Sequence, residues 1–512
     1  MNECYPVIDL FAGPGGLGEG FSAFKNLQER NPFRIVLSIE KDPYAHATLV
    51  LRSFFRKFEF DKIPIEYWLY LNRKITKEEL FKCFPIQAEQ AGHEAQCLEL
   101  GKTPKDQVRS LISSRLNNSK KWLLVGGPPC QAYSIMGRSR MKSTNPNFEK
   151  DERHFLYQEY LKILADHKPP VFIMENVKGI LSATHSGCRI IENILKDLRN
   201  PELAANNNGG GFKYRLFSLV KRKHPNDYEP KDFIVEAEKF GVPQIRHRVL
   251  ILGIRDDIDF TPDTLSPKKA PNVAQVIGDL PKIRSGISKE QDSLILWKEA
   301  LKSIRKEPWY IEGKLSGLEK TINKIEESLN LIEITENFSS GREFLKHLKN
   351  PKIYDSWFRT NCPPNITHHT ARSHMRSDLH RYLFSSAFAA VNNRSPRLND
   401  FPESLLPAHK NIQKGISAGH FNDRFTVQLN KKPSTTITSH ISKDGHYFIH
   451  YDPLQCRSLT VREAARLQTF PDTYWFEGFR THQYLQVGNA VPPLLACQIA
   501  KIVNNLLENI TL

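Results

Sequence analysis

The sequence LLVGGPPCQAYS, residues 123–134, ends an apolar run with two glycines and two prolines and then places a cysteine, Cys130. Glycine permits a tight bend and proline restricts φ, so the residue that follows them is held in one position at the end of a predicted strand. A thiol held in this way suggests a nucleophile, because cysteine attacks as its thiolate and needs neighbouring groups to activate it. The alternative is a buried structural cysteine after a turn. The residues predicted at the same sheet edge decide between the two.

A glycine-rich turn follows the first predicted strand. Residues 6–11, PVIDLF, stop at AGPGG, residues 12–16, before a helical pattern begins. This arrangement lets backbone N–H groups and a helix N-terminus approach a ligand closely. The next apolar run, residues 34–39, ends in Glu40. An acid at that position accepts hydrogen bonds from ribose hydroxyls in nucleotide pockets, or serves as a cap or surface carboxylate, and both interpretations stay open here.

One further carboxylate is predicted to reach the edge that carries Cys130, and two arginines lie at the start of another strand. Residues 171–174, VFIM, form a buried type of strand that ends in Glu175, and QIRHR leads into another strand. Arg246 and Arg248 are two apart, so they share a face of an extended chain and can hold an anion or a carbonyl oxygen together. Parallel strands that alternate with helices place their ends on one edge. We therefore predict an α/β fold with a doubly wound, Rossmann-like sheet.

Composition narrows the class of partner. The chain has 512 residues and a formal net charge of +16, which favours a polyanion such as nucleic acid. Its eight cysteines are scattered without a CxxC pair, as expected in a reducing cytoplasm. We find no signal-peptide pattern and no apolar run of the roughly 20 residues that a membrane span requires. The expected location is the cytoplasm, away from membranes.

Basic residues are frequent where the alternation of strands and helices is lost, between about residues 256 and 432. Arg372 and Arg376 there, with Arg138 and Arg140 in the polar segment after Cys130, are candidates for phosphate and base contacts, although a solvated basic face would show the same pattern. The same region holds His368, His369, His374 and His380. Their spacing fits no standard zinc finger, so we expect no metal site.

The last apolar stripe, formed by residues 495–510 on one helix face, must bury against another element. We expect this helix to pack beside the first glycine turn. The chain would then end in the same domain in which it begins, and the middle region would be an insertion.

Six sequence blocks occur in a recognisable order. They are DLFAGPGGLGEGF (9–21), GGPPCQAYS (126–134), ENVKG (175–179), QIRHR (244–248), LTVREAARLQTFPD (459–472) and QVGNAVPP (486–493). In this order and spacing they resemble the blocks of DNA (cytosine-5)-methyltransferases, most of all those of bacterial restriction-modification systems. The resemblance implies S-adenosyl-L-methionine as methyl donor, S-adenosyl-L-homocysteine as product, and cytosine in double-stranded DNA as acceptor.

The resemblance also implies a domain order. Residues 1–255 would form the first part of the catalytic domain, with an insertion at about residues 54–94. Residues 256–432 would form the target-recognition domain, and residues 433–512 the return to the catalytic domain. The implied cofactor-binding residues are Phe11, Ala12, Gly13, Gly15, Gly16, Leu17, Glu40, Glu99, Pro129, Asn489 and Val491. Glu99 stands where family members usually have an aspartate that contacts adenine.

The implied chemistry uses groups that the residues themselves had suggested. Cys130 would add to carbon 6 of cytosine, Glu175 would hydrogen-bond N3, and Arg248, supported by Arg246, would hold the O2 side. The base must be flipped out of the duplex, because its reacting edge cannot be reached within the stack. The expected DNA-binding residues are Gln131, Ser134, Arg138, Arg140, Asn176, Gln244, Arg372 and Arg376.

Two alternative functions remain at this stage. One is an RNA (tRNA) cytosine-5 methyltransferase of the same fold, which the large basic insertion and the lack of a CFT-type tripeptide disfavour. The other is a catalytically inactive DNA-binding regulator, which would have no chemical need for the cysteine, glutamate and two arginines. We expect a monomer, with a restriction endonuclease as a genetic partner that forms no stable complex with it.

Overall fold

The computed structural model describes residues 4–59, 62–129, 156–185, 188–206, 211–314, 317–347, 349–359, 365–408 and 422–511. The strands are β1 (Tyr5–Leu10), β2 (Phe33–Glu40), β3 (Ala95–Cys97), β4 (Leu123–Gly126), β5 (Val171–Val177), β6 (Thr184–His185), β7 (Cys188–Arg189), β8 (Tyr214–Ser218), β9 (Ile234–Glu236), β10 (His247–Arg255), β11 (Gly286–Ile287), β12 (Gly341–Lys346), β13 (Asn365–Thr370) and β14 (Ser373–His374). The helices are α1 (Gly16–Ala23), α2 (Pro43–Phe55), α3 (Ile65–Leu71), α4 (Lys77–Cys83), α5 (Pro85–Glu94), α6 (Lys105–Leu116), α7 (Leu156–His167), α8 (Ile190–Arg199), α9 (Pro201–Asn206), α10 (Val273–Ile277), α11 (Leu294–Lys302), α12 (Pro308–Gly313), α13 (Glu319–Ile334), α14 (Asp355–Phe358), α15 (Arg376–Asn392), α16 (Val461–Leu467), α17 (Arg480–Asn489) and α18 (Pro493–Asn509).

The chain divides into two compact units. The first contains Met1–Ile63, Lys77–Lys269 and Ala490–Leu512, and the second contains Pro64–Thr76 and Ala270–Asn489. The second unit is thus inserted into the first, at two places in the sequence.

A single sheet organises the first unit. Its strand order is β3-β2-β1-β4-β5-β10-β8, and β9 pairs with β10 at the side. The strands from β3 to β5 run parallel, whereas β10 is antiparallel to β5, β8 and β9. Every residue of β1 and β4 is buried, as expected for strands covered on both faces. The predicted α/β fold is confirmed. Because β10 runs in reverse, its first residues meet the last residues of β5.

The C-terminal helix packs against the first glycine turn, as the apolar stripe predicted. A Cβ placed on Gly16 would lie 2.2 Å from the Val491 carbonyl oxygen, and one on Gly20 would lie 2.3 Å from the Ala496 Cβ. Backbone contact this close is open only to glycine. The start of α1 and the start of α18 therefore hold each other in place.

The second unit has its own core. It includes Trp297, Trp309, Ile325 and Tyr382, which are buried among α11, α12, α13 and α15. Two small pairings, β11 with β14 and β12 with β13, complete the unit together with α10, α14, α16 and α17. The α3 segment, residues 64–76, belongs to this unit rather than to the unit that surrounds it in sequence.

Buried ion pairs hold α16 within the second unit. Arg457 forms a two-bond pair with Glu463, with both distances 2.7 Å. Arg466 pairs in the same way with Asp472, at 2.9 and 2.7 Å, and also donates to Asp279 at 2.6 Å. The Arg466–Asp279 contact ties α16 to the chain just after α10, in the unit that contains Ala270–Asn489. The predicted domain bounds, 256–432 and 433–512, stay a prediction.

One segment, Arg480–Asn509, is long and apolar enough to meet a length-and-composition test for a membrane-crossing helix. It consists of α17 and α18 separated by residues 490–492, and 72% of its apolar window is buried inside the protein. These two helices are core elements.

Candidate active site

The last described residues before Cys130 lie at the carboxyl end of β4. A Cβ on Gly127 would lie 2.9 Å from Oε2 of Glu175, and one on Gly126 would lie 2.9 Å from the Leu10 carbonyl oxygen. The glycines let the chain pass closely between the ends of β1 and β5. Pro129, expected in the cofactor pocket, is half-buried two residues further on. The nucleophile itself, Cys130, lies outside the described residues.

Glu175 and Arg248 form the central pair of the site. The Nε atom of Arg248 lies 2.9 Å from Oε1 of Glu175, and each side chain is 14% exposed. The antiparallel register of β5 and β10 places Leu250 opposite Glu175 and Arg248 opposite Val177, so the two side chains meet at the sheet edge. Burial lowers the pKa of Arg248, and the Glu175 carboxylate opposes that shift. A nearly dry carboxylate and guanidinium thus lie beside the Gly127 backbone.

Arg246 faces a different partner. It is 1% exposed, its Nη2 donates to the Ala490 carbonyl oxygen at 2.8 Å, and its Nη1 donates to Oε1 of Gln244 at 3.4 Å. Burial lowers its pKa well below the ordinary value. Gln244 is also fully buried. Arg246 therefore ties the start of β10 to the segment that leads into α18, which supports the geometry around Arg248 indirectly.

Asn176 is buried and acts on the turn before Cys130. Its Nδ2 donates to the Pro128 carbonyl oxygen at 3.3 Å, and its Oδ1 accepts from the Val177 N–H at 2.9 Å. In this structure the side chain therefore fixes the Pro128 turn relative to β5. A DNA contact of Asn176 or of Gln244 stays a prediction.

The first glycine turn has the strained backbone that a ligand loop requires. Phe11 and Gly13 adopt φ of 55° and 57°, and Gly15 adopts 90°. The Ala12 N–H donates to the Ile39 carbonyl oxygen at 3.1 Å, which pins the turn to β2. Among the residues that the structure describes, apart from its two chain neighbours, none places a heavy atom within 4 Å of a Cβ on Gly13, so that side of the turn is open within the described part of the chain. Leu17 is buried in the first turn of α1.

Glu40 is oriented by backbone donors. Its Oε2 accepts from the Gly13 N–H at 2.8 Å, and its Oε1 accepts from the N–H groups of Lys41 and Asp42 at 2.9 and 2.8 Å. Burial raises the pKa of Glu40 despite these donors. A carboxylate has about four acceptor positions, so at least one remains for a hydroxyl group of a ligand.

Glu99 lies near the end of β2 that carries Glu40, and two lysines contact its carboxylate. Its carboxylate contacts Lys41 and Lys102, both at 3.2 Å, and the Lys41 hydrogen bond is the main cause of its lowered pKa. An adenine contact by Glu99 stays a prediction. Two further residues, Asn489 and Val491, were expected to bind the cofactor. Val491 is buried against Gly16, whereas Asn489 is exposed at the end of α17 in the second unit.

The structure gives Arg372 and Arg376 intramolecular partners. Arg372 donates to the carbonyl oxygens of Ile441, Ser442 and Lys443, and its guanidinium lies 4.1 Å from the centre of the Tyr484 ring. Arg376 forms a two-bond pair with Glu290 at 2.8 and 2.7 Å. DNA contacts by these two residues stay a prediction. Gln131, Ser134, Arg138 and Arg140 lie outside the described residues.

His369 and His380 of the second unit each hydrogen-bond to separate partners. His369 contacts Thr460 and the Pro281 carbonyl oxygen, and His380 contacts the Ala300 carbonyl oxygen. Burial lowers the pKa of His369 to about 4. Among the residues that the structure describes, no group of three or more metal-ligating side chains occurs.

Sequence reasoning missed Asp9 as a feature of the site. Its carboxyl group is 1% exposed, close to Gly18 of α1, and burial raises its pKa to about 7. The position of an acid inside the apolar run PVIDLF was the available signal. The hydrogen bond from Arg246 to the Ala490 carbonyl oxygen could not be predicted from the sequence, because every residue has a backbone carbonyl group.

A family model described as C-5 cytosine-specific DNA methylase matches residues 96–505. The chain belongs to this family. The methylase is 31% identical to type II methyltransferase M.Bpa9945I of Bacillus paralicheniformis, with 98% of this chain and 99% of that protein covered. It is 25% identical to DNA (cytosine-5-)-methyltransferase M.ApeKI of Aeropyrum pernix, with 98% and 99% covered.

A solved structure shares the fold of the methylase. It is a putative DNA modification methyltransferase encoded within an E. coli prophage, with a TM-score of 0.50, 19% identity, and coverage of 99% of this chain and 100% of that one. The methylase is therefore a DNA (cytosine-5-)-methyltransferase, and the predicted family, fold and enzyme class are confirmed. Neither the RNA methyltransferase nor the inactive regulator is favoured.

Proposed function

We propose that this methylase transfers a methyl group from S-adenosyl-L-methionine to carbon 5 of a flipped-out cytosine in a specific duplex sequence, as the modification enzyme of a restriction-modification system. The observation that carries the proposal is the buried Glu175–Arg248 pair beside the Gly127 backbone, three residues before Cys130. The carboxyl group and the guanidinium would engage the N3 and O2 positions of one pyrimidine, and the Cys130 thiol, which follows in sequence, would add to carbon 6.

The first glycine turn and the end of β2 fit the cofactor. Gly13 leaves open space at a left-handed turn, and the oriented Glu40 carboxylate keeps acceptor capacity for ribose hydroxyls. Phe11, Ala12, Gly15, Gly16 and Leu17 would line the same pocket, with Pro129, Asn489 and Val491 closing it and Glu99 on the adenine side. When bound, the cofactor supplies a methyl group on a positively charged sulfur, and transfer of that methyl group leaves S-adenosyl-L-homocysteine.

The reaction needs cytosine to become a nucleophile at carbon 5. The Cys130 thiolate adds to carbon 6, and the ring electrons move toward N3, where Glu175 donates a hydrogen bond or proton. Arg248 holds the O2 side while its Nε keeps the Glu175 carboxyl group in place. Carbon 5 then takes the methyl group. Loss of the carbon 5 proton to a base, which we infer to be water, leaves the electrons of that bond to expel the thiolate from carbon 6. Any proton that N3 received returns to Glu175, and the aromatic ring is restored.

The remaining predicted residues act on DNA. Flipping the base costs a few kcal/mol, which contacts in the flipped state must offset. Gln131, Ser134, Arg138 and Arg140, in the segment after the nucleophile, are the candidates for these contacts. The second unit, Ala270–Asn489 with its α3 segment, would read the sequence. We further propose a cytoplasmic monomer that works alongside a cognate endonuclease without forming a stable complex with it.

Methyl transfer from tritiated S-adenosylmethionine distinguishes the substrates. We expect label in duplex DNA and none in tRNA, a loss of at least about 10²-fold in kcat for Glu175→Gln, and wild-type rates for Glu192→Gln on the surface of α8. Bisulfite sequencing of DNA from cells that express the gene would identify the modified cytosine. Label in tRNA alone, or full activity of Glu175→Gln, would overturn the proposal.

A further inference from the structure

A short loop of the second unit, Phe476–Phe479, presents an aromatic ring to solvent. Residues 471–476 are all buried, whereas Phe479 is 74% exposed. The chain turns outward at Gly478, which has φ of 88°, a left-handed conformation that favours glycine. The chain is buried again at Gln483, on the first turns of α17. The ring therefore stands at the tip of a sharp excursion from the core.

Single exposed apolar side chains are ordinary on protein surfaces. The support beneath this one is unusual, because two buried glutamines of α17 donate hydrogen bonds from their side-chain amides to the loop. Gln483 Nε2 donates to the carbonyl oxygens of Phe476 and Gly478 at 3.2 and 2.9 Å, and Gln486 Nε2 donates to that of Glu477 at 2.9 Å. Each carbonyl oxygen of residues 476–478 thus accepts a bond from a side chain of the same helix.

Other elements fix the loop from its remaining sides. The Phe476 N–H donates to Nε2 of His368 at 3.0 Å, and the Tyr70 hydroxyl of α3 donates to the Glu477 carboxylate. A loop held by this many bonds does not reshape when a partner arrives. A pre-organised aromatic residue loses little conformational entropy on binding, which is the property of an interface anchor.

The charges around the ring identify the class of partner. Arg480 follows Phe479 directly and donates through Nη1 to the Ala371 carbonyl oxygen at 3.1 Å, the His482 ring centre lies 6.3 Å from that of Phe479, and the first turn of α17 contains no acidic residue. The nearby acid, Glu477, is engaged by Tyr70. An aromatic ring next to an arginine guanidinium suits a nucleic acid, whose bases and sugars pack on rings and whose phosphates attract cations.

We propose that Phe479 is a DNA-contacting residue whose ring packs against a base or deoxyribose of the bound duplex, and that Gln483, Gln486, His368 and Tyr70 serve to hold it there. The inference rests on the proposed function, because it takes duplex DNA as the substrate. It adds a contact outside the residues that the family blocks supply.

Photocross-linking tests the contact directly. Phe479→p-benzoylphenylalanine, irradiated with linear plasmid DNA that the wild-type enzyme methylates, should become covalently attached to DNA. The matched control is Ile334→p-benzoylphenylalanine, at a position of the same unit that is 75% exposed. Attachment at 479 but not at 334 supports the inference. A 479 variant that still methylates the plasmid but yields no DNA adduct, or yields only a cross-linked protein dimer, overturns it.

A binding series gives the magnitude and separates the two proposals. Phe479→Ala should raise the Kd for DNA about tenfold, Phe479→Tyr should restore it, and Ile334→Ala should leave it unchanged. All variants should bind S-adenosylhomocysteine as the wild type does, which shows that they are folded. A Phe479→Ala enzyme with an unchanged Kd for DNA overturns the inference alone. A wild-type enzyme that neither binds nor methylates DNA refutes the proposed function as well.

Discussion

Gly16→Ala tests whether the turn at the start of α1 depends on the end of the chain. The new methyl group would lie 2.2 Å from the Val491 carbonyl oxygen, whereas ordinary van der Waals contact begins at 3.4 Å. One of the two backbones must therefore move by about 1.2 Å, the difference between these distances. Overpacking of this kind typically costs about 1–3 kcal/mol. If the displaced turn must be restored to bind the cofactor, that cost weakens cofactor binding by roughly 5- to 150-fold.

Isothermal titration of S-adenosylhomocysteine measures this effect. Gly18→Ala is the matched control, because it lies two residues further along the same helix and the atoms nearest to its Cβ would be those of the Asp9 and Ile35 side chains, at 3.3 and 3.7 Å. We expect Gly18→Ala to bind within about twofold of the wild type, since alanine also favours the helix. A Gly16→Ala enzyme with wild-type cofactor affinity would refute the packing of Val491 on the glycine turn as a requirement for the pocket.

Three further substitutions test separate parts of the structure. Arg248→Lys should lower kcat for DNA methylation about 10²-fold, because lysine cannot reproduce the Nε contact with Glu175; an unchanged rate in the tritium assay would contradict this role. Asp9→Asn should stabilise the protein relative to the wild type, by an amount that grows as pH rises from about 4 to 7 and reaches about 4 kcal/mol. The reason is that the folded-state pKa of Asp9, about 7, lies above its unfolded value, so the wild type loses stability across that window. Thermal melts with a constant difference between the two proteins at pH 5 and pH 8 would contradict this prediction. Glu463→Gln should destabilise the second unit by about 3–5 kcal/mol, since it leaves the buried Arg457 charge without its carboxylate, and a melting temperature equal to that of the wild type would count against that pair.

Much of the catalytic sheet could be predicted from sequence, for a physical reason. Strands buried on both faces appear as continuous apolar runs, and LLVG and VFIM are bounded by the glycines, prolines and polar residues that end them. The approach of Glu175 and Arg248 did not follow from this pattern, because Arg248 lies at the start of its predicted strand and Glu175 at the end of its own, and parallel strands would place them at opposite edges. Only the family resemblance implied it. The reversed direction of β10, which brings them to 2.9 Å, was not visible in the apolar pattern.

The intramolecular partners of the predicted DNA-binding arginines lie far away in sequence. Arg372 and Arg376 were chosen for their charge, but the former is held by carbonyl oxygens about 70 residues away in sequence and the latter by Glu290. Local spacing cannot show such partners. The buried contact of Arg466 with Asp279, which holds α16 in the second unit, is likewise invisible in a pattern of hydrophobic residues.

Covalent trapping tests the central claim most directly. DNA that carries 5-fluorocytosine in place of cytosine cannot lose a proton from carbon 5, so the bond between the enzyme and carbon 6 persists after methyl transfer. With S-adenosylmethionine present, we expect the wild-type methylase to form a denaturation-resistant complex with this DNA and Cys130→Ala to form none. A complex of equal yield with Cys130→Ala would show that another residue is the nucleophile and would contradict the account.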